Sequence, residues 1–255
     1  MIAVLVVVGL AGVILLFMET GRRLRVARLA AEPEAADAEL VGVEAAVFGL
    51  MGLLIAFTFS GAATRFDMRR LQTVDEVNAV GTAWLRLDLL PAADQPVVRA
   101  LFRDYVDARI AAYRVVLDNA AWQAELARAA GLQQQIWSRA VAGVQASSNT
   151  APAVVLLPAL NEMFDMASSR ALVREIHIPT VVLGLLAAVT LVCALLAGYA
   201  SGAKRGRRWF HTATFVVALA VALYVIVDFE YPRAGVVRLD HLDHALVDLR
   251  ATMGP

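Results

Sequence analysis

The sequence has one cysteine, one lysine and no net charge. Its 255 residues include 23 basic and 23 acidic side chains, and the basic ones are arginines except for Lys204. Because Cys193 has no partner in the chain, an intrachain disulfide, a zinc finger and a CxxC redox pair are excluded. The basic runs are short, whereas nucleic-acid binding needs a clustered basic surface. We therefore expect no nucleic-acid partner.

The sequence also lacks the common catalytic motifs. It has no HExxH, no GxSxG, no Walker loop and no GxGxxG after a predicted strand. We therefore predict that the chain is not an enzyme and has no cofactor. His241 and His244 are weak candidates for a metal site, because two histidines three residues apart are more often part of a solvated helix face.

Long apolar runs dominate the sequence, which is 60% hydrophobic. Four runs have a length that crosses the hydrocarbon core of a bilayer. We predict an all-α membrane protein with four transmembrane helices and a helical extramembrane bundle between the second and third. The spans are Ile2–Met18, Leu40–Ala63, Thr180–Tyr199 and Trp209–Val227. The predicted domains are a transmembrane hairpin (1–63), the helical domain (64–178), a second hairpin (179–229) and a C-terminal tail (230–255).

The central region has the pattern of successive amphipathic helices. The first helix is expected to end at Leu90-Pro91, since the residue before proline disfavours helix. Asp94 is a candidate cap for the next helix, which places Arg109 on its wet side. A further helix is expected over about 122–145, with a possible break at Gly131, and the last over about 153–175. Short connections favour an antiparallel bundle.

Arginine positions predict the orientation in the membrane. The loop after the first span contains Arg22, Arg23, Arg25 and Arg28, and the loop between the last two spans contains Lys204, Arg205, Arg207 and Arg208. The positive-inside rule places these loops in the cytoplasm, and hence the termini and the helical domain outside a plasma (inner) membrane. Three arginines that follow the second span favour the opposite orientation under the same rule: Arg65, Arg69 and Arg70.

The second span has two stripes at helical spacing. Small residues form one of them and bulky side chains, Phe48, Ile55 and Phe59 among them, form the other. Candidate polar pore residues are Thr58, Ser60, Glu44 and His211, with Glu44 and His211 at a similar depth and able to pair. The alternatives are that Glu44 reaches the interface and that the hydroxyls bond to their own helix. The small residues are Ala45, Gly49, Gly52, Ala56 and Ser60.

Five carboxylates are expected on the outer side, near the ends of the second and fourth spans. In a ring of subunits they would repeat around an axis and concentrate cations at a mouth. The alternative is ordinary ion pairing, Asp67 with Arg70 or Glu76 with Arg69, which is worth little when solvated. The five are Asp67, Asp75, Glu76, Asp228 and Glu230.

Several blocks resemble the prokaryotic membrane family called the bestrophin-like domain. They are AVFGLMGLLIAFTFSGAATRFDMRR, VDEVNAVGTAWLRLDLLP, HIPTVVL and DFEYPRAGVVRLD. By distant similarity to bestrophins, the resemblance implies a pentameric ion channel whose second span lines the pore and whose acidic clasp would fall at Asp228 and Glu230. The chain departs from bestrophins in having no dense acidic run after the fourth span, and in the outward domain that its arginines predict.

Two functions follow from these patterns. The first is a homo-oligomeric, cation-biased channel or pore in the lipid bilayer, in which Phe48, Ile55 and Phe59 form a hydrophobic constriction. The alternative is a non-conducting membrane sensor or assembly protein whose helical domain binds a ligand or partner.

Overall fold

The structure, a computed structural model, describes residues 2–31, 40–116, 118–147, 151–202, 209–232, 235–237 and 240–254. Every regular element in these ranges is helical, which confirms the predicted all-α class. The helices are α1 (Ile2–Ala31), α2 (Leu40–Arg86), α3 (Gln95–Arg114), α4 (Asn119–Ala146), α5 (Ala151–Glu175), α6 (Thr180–Ser201), α7 (Trp209–Glu230) and α8 (Asp240–Thr252), with a short 3-10 helix at Leu87–Leu89.

Four stretches are long and apolar enough to cross a membrane. They lie within Ala3–Ala31, Gly42–Leu89, Pro152–Ser201 and Trp209–Glu230, so the chain is a multi-pass membrane protein, as predicted. The first helix differs from the prediction, because it does not end near Gly21 but continues through the arginines to Ala31. The predicted arginine-rich loop at 203–208 lies outside the described residues.

The chain divides into two compact units. Unit 1 comprises residues 1–66 and 177–238, and unit 2 comprises residues 67–176 and 239–255. The C-terminal helix α8 therefore belongs with the helical domain, and residues 64–66 belong with the spans. The fully buried Leu246 of α8 explains this grouping, since it lies in the core of unit 2.

Glycines let α1 and α6 approach each other closely in unit 1. A Cβ atom at Gly198 would lie 1.9 Å from the carbonyl oxygen of Met18, and one at Gly21 would lie 1.9 Å from that of Leu195. Ala194 and Gly198 of α6 and Gly202, the residue that follows it, recur every four residues. This small-xxx-small spacing allows transmembrane helices to pack backbone against backbone. The signal is visible in the sequence.

Unit 2 has its own hydrophobic core between α2, α3, α4, α5 and α8. Phe102 and Tyr105 of α3 are fully buried in it, together with Leu156 and Met163 of α5. Pro91 follows the 3-10 turn as expected. Asp94 occupies the N-cap position of α3 but makes no capping hydrogen bond with its side chain.

The fourth helix shows how local chemistry sets a helix start in unit 2. The carboxylate of Asp118 accepts hydrogen bonds from the backbone N–H groups of Ala120 and Ala121, the usual N-cap arrangement. The helix then continues through Gly131 without a break.

Candidate functional site

The second helix presents two different faces within unit 1. Ala45, Gly49, Gly52, Ala56 and Ser60 are all exposed, so the small stripe is left uncovered by the other helices of the chain. The opposite side, which includes Met51 and Thr58, is buried. Small side chains allow another helix, or a narrow water path, to come close to the backbone.

The three residues predicted to form a constriction do not share one environment. The ring of Phe48 packs edge-on against Phe215 of α7, with centroids 6.2 Å apart, and Ile55 packs on two buried clusters of unit 1. Phe59 is 42% exposed and contacts Phe229 with its ring edge-on. The chain's own helices thus cover Phe48 and Ile55 in part, whereas Phe59 is exposed.

The two hydroxyls predicted to line a pore differ in the same way. Thr58 is 6% exposed and its Oγ1 donates to the carbonyl oxygen of Leu54 at 2.6 Å. This is the bond to its own helix that the sequence left open as an alternative. Ser60 is exposed on the uncovered face.

Glu44 and His211, predicted as a pair, are not joined in the chain. Glu44 is half-buried and His211 is exposed, with its ring edge-on to Phe210. Within the described ranges no hydrogen bond or ion pair connects the two side chains.

The five carboxylates predicted at a mouth fall into two groups. Asp67 and Asp75 are exposed, and Arg70 Nη1 donates to Asp67 at 3.5 Å. Glu76, Asp228 and Glu230 are at most 5% exposed in the chain. Only the first two are placed where they can act on ions in solution.

The carboxylate of Glu230 connects three segments of unit 1. It is 1% exposed, and its Oε2 accepts a hydrogen bond from Arg65 Nε at 3.0 Å. Its Oε1 accepts from the backbone N–H of Ile178 at 2.9 Å and lies 3.9 Å from Nδ1 of His177. The carboxylate thereby links α2, α7 and the segment that leads into α6.

Asp228 orders the segment after α7. Its carboxylate accepts hydrogen bonds from the backbone N–H groups of Val236 at 3.0 Å and Val237 at 2.9 Å. A Cβ atom at Gly235 would lie 1.4 Å from Asp228 Oδ1, so the chain can pass this close only with glycine there. These bonds give Asp228 a structural role and leave little room for a cation.

Unit 2 contains a buried charge cluster around Glu76. Oε1 of Glu76 accepts from Arg109 Nε and Oε2 accepts from Arg170 Nη1, both at 2.7 Å. The hydroxyl of Tyr113 donates to Oε2 at 2.8 Å, and the Arg170 guanidinium lies 3.6 Å from the centroid of the Tyr113 ring. The prediction that Arg109 faces water is therefore wrong, because its charge is compensated in the core.

The cluster shifts the pKa values of its members. Burial alone raises the pKa of Glu76, but the charges and hydrogen bonds of Arg109 and Arg170 outweigh it, and the pKa falls from 4.5 to about 2. Burial is also the main reason why the pKa of Tyr105, close to the same charges, is raised to about 12. Glu76 is thus ionised at neutral pH.

The structure describes only one of the two weak metal candidates. His244 is exposed on α8, and the side chain of His241 lies outside the described residues. No group of three or more metal-binding side chains occurs among the described residues.

Comparison with known families shows to which family the chain belongs. Residues 5–241 match the family model described as the bestrophin-like domain. The chain belongs to the bestrophin-like family. No curated protein and no solved structure matches it.

Three of the four sequence blocks that resemble the bestrophin-like family meet in unit 1. Arg65 from the first block, Ile178 from HIPTVVL and Glu230 from DFEYPRAGVVRLD are joined by the hydrogen bonds of the Glu230 carboxylate. Glu76 from the second block is the centre of the buried cluster in unit 2.

Sequence reasoning missed the partners of Glu76 and the closely packed glycines of α6. Arg109 lies among the apolar positions of α3, one residue before Ile110 and four before Tyr113, and a charged side chain at that spacing signals a buried pair. Arg170 has the same signal, because it lies seven residues after Met163 and three after Ala167 on the buried face of α5.

Proposed function

We propose that this bestrophin-like chain forms a homo-oligomeric ion channel or pore-like transporter whose axis is lined by α2. The observation that supports this is the uncovered small-residue face of α2 in unit 1, centred on Gly49, Ala56 and Ser60. Family membership points in the same direction by analogy. A pentamer is suggested only by the family's likeness to bestrophins.

The proposal needs several copies, because the described part of unit 1 has an apolar core. The centre of unit 1 is closed by buried apolar side chains such as Ile14, Met18, Cys193 and Leu219. A shared axis between copies leaves this core intact and gives the exposed face of α2 a function. Phe59 lies at one edge of that face and is the residue we retain as a hydrophobic constriction.

We propose a bias toward cations that rests on Asp67 and Asp75. They are the exposed members of the predicted acidic set, and carboxylates at a mouth raise the local cation concentration. The proposed setting is a plasma (inner) membrane, with the arginine-rich end of α1 and the basic segment 204–208 in the cytoplasm. We propose no enzymatic activity, because no catalytic motif supports one.

One observation favours the alternative of a non-conducting sensor or assembly protein. Unit 2 has a closed core of its own and a buried charge cluster, which suits a domain that binds a partner. In that case the small face of α2 would only hold copies together.

The accessibility of engineered cysteines distinguishes the channel from the non-conducting sensor or assembly protein. Cys193 is the only cysteine, so a Cys193→Ala chain provides a background without reactive thiols. Ala56→Cys and Ser60→Cys place thiols on the uncovered face, and Thr58→Cys places one on the buried side of the same helix turn. The purified variants are reconstituted in liposomes, and cation flux is measured before and after a charged, membrane-impermeant thiol reagent.

We expect the reagent to block flux through Ala56→Cys and Ser60→Cys and to leave Thr58→Cys unchanged. If oxidation cross-links Ala56→Cys between copies while no variant conducts any cation or anion, the small face is an assembly contact and the sensor function replaces the channel.

A further inference from the structure

The part of α2 that belongs to unit 2 has an exposed apolar line. Leu71, Val74 and Leu85 are between 44% and 70% exposed, and Asn78 is exposed among them. The successive spacings are three, four and seven residues, which are those of the a and d positions of a heptad, so the four side chains share one face of the helix. Exposed aliphatic side chains that follow one line of a helix indicate an interaction surface.

The core of unit 2 uses a different side of the same helix. Glu76, Val80 and Ala83 are fully buried, and in the same heptad they occupy c and f positions. A Cβ atom at Gly81 would lie 3.6 Å from the side chain of Leu249, so α8 borders the exposed line at that turn. The line itself is therefore left open by the packing of unit 2.

A lipid surface does not account for this line. The apolar run of the second span ends at Ala63, and a helix rises about 1.5 Å per residue. Val74 therefore lies about 17 Å and Leu85 about 33 Å farther along α2. The headgroup layer of a bilayer is only about 5–8 Å deep on each side. A protein surface is the occupant that fits this length.

Charges of opposite sign border the line on its two edges. Arg70 directly precedes Leu71 and Asp75 directly follows Val74, and both charged side chains are exposed. The two charges are about 140° apart around the helix, with the apolar line between them. These are g and e positions, at which coiled coils form salt bridges between helices. Within the chain Arg70 lies 3.5 Å from Asp67, and an exposed pair of this kind is worth little.

This distribution of charge is complementary to that of a second copy of the chain. Copies that insert into one bilayer with the same orientation bring their α2 helices together in parallel. The Arg70 edge of one copy then attracts the Asp75 edge of the next, and a contact of this type repeats around a closed ring. The amide of Asn78 lies at the same height in both copies, and a polar side chain at an a position fixes the register of such a contact.

We propose that the face of α2 formed by Leu71, Val74, Asn78 and Leu85 is a contact between copies of this chain, in which Arg70 of one copy pairs with Asp75 of the next. The inference rests on the homo-oligomer of the proposed function and not on its ion flux. The loss of Asp75 would leave Arg70 without this carboxylate, which lowers the preference of the proposed mouth for cations still further.

Charge exchange tests the pairing. The full chain is purified in detergent as Arg70→Glu, as Asp75→Arg and as the double exchange, and native mass spectrometry gives the number of subunits over a range of protein concentrations. Each single change places like charges on the two edges and should raise the Kd of subunit association at least about tenfold. The double exchange should restore it to within about threefold. Arg128→Glu reverses an exposed arginine of α4 and should leave the Kd unchanged.

Disulfide trapping tests the geometry in the Cys193→Ala background. The double variant Arg70→Cys/Asp75→Cys places one thiol on each edge of the line. Two positions five residues apart in a helix have Cα atoms more than about 7 Å apart, so a disulfide within one chain is excluded. Oxidation in the membrane should give a ladder of linked copies on a non-reducing gel. Gln123→Cys/Arg128→Cys has the same spacing on an exposed side of α4 and should give none.

The contact is overturned if the single charge reversals leave association unchanged, if the double exchange does not restore it, or if both cysteine pairs give equal ladders. Should this happen while the thiol reagent still blocks flux through Ala56→Cys, the channel remains and only this contact is lost. Restored association and a specific ladder in a chain that conducts no ion would establish the contact and remove the channel.

Discussion

The Nε atom of Arg109 lies 2.7 Å from Oε1 of Glu76, and both side chains are buried in unit 2. A buried ion pair stabilises a fold only when its geometry is good and the remaining polar atoms are satisfied. Here Arg170 and Tyr113 bond the second carboxylate oxygen. The arrangement therefore makes unit 2 depend on one carboxylate.

Replacing Glu76 with alanine should destabilise unit 2 severely. The change leaves two guanidinium groups without their common carboxylate, a loss of about 3–5 kcal/mol. Tryptophan fluorescence during chemical unfolding in detergent measures it, because Trp84, Trp122 and Trp137 all lie in unit 2. Asp75→Asn, at the neighbouring exposed position, is the control and should cost less than about 0.5 kcal/mol. Similar losses in both variants would show that the cluster does not stabilise the unit.

The same cluster predicts how stability depends on pH. The pKa of Glu76 is lowered from 4.5 to about 2, so the folded state favours the ionised form. Its contribution is fully present above pH 4.5 and is lost as the pH falls toward 2. The difference in unfolding free energy between the wild type and Glu76→Gln should therefore be constant from pH 5 to 7 and shrink below 4.5. A difference that does not change with pH would contradict the assignment.

The crossing of α1 and α6 predicts opposite effects for two glycines on one helix. Gly198→Ala places a methyl group against the Met18 carbonyl and forces the helices apart, at a cost of about 1–3 kcal/mol. Gly184→Ala meets nothing within 4 Å and should be neutral or slightly stabilising. Thermal unfolding followed by circular dichroism compares the two, and equal midpoints would refute the close contact.

The Glu230 bridge predicts that Arg65 and Glu230 are energetically coupled. Arg65→Gln and Glu230→Gln should each destabilise the chain, and the double variant should lose less than the sum of the single losses, by about 1–3 kcal/mol. A double-mutant cycle on unfolding midpoints measures the coupling. Glu175→Gln, an exposed carboxylate of α5, serves as the control. Additive losses would mean that the hydrogen bond at 3.0 Å has no net effect.

Cation selectivity should depend on Asp67 and Asp75 if the chain conducts. The double change to asparagine removes the exposed charges of the proposed mouth and should lower the ratio of cation to anion permeability, by up to about tenfold at low salt. Reversal potentials in planar bilayers measure the ratio. Glu162→Gln removes an exposed carboxylate from α5 and should leave it unchanged. If both changes act alike, the selectivity does not arise at these aspartates.

The sequence by itself determined the helical class, the four spans and the family. Apolar runs of spanning length leave the backbone no stable alternative to helix in a bilayer. The residue before a proline disfavours helix, and the helical turn that follows α2 ends before Pro91, as predicted. These features depend on neighbours in the chain, and they were predictable for that reason.

Only the tertiary structure decided which side chains meet. Glu76 is 33 residues from Arg109 and 94 from Arg170, and no local pattern specifies such a pairing. The stripes of α2 were visible in the sequence, but a helical period gives two faces without saying which is covered. The helices that pack against Met51 and Thr58 decided it, and they left exposed both the small residues and bulky ones such as Leu53 and Phe57.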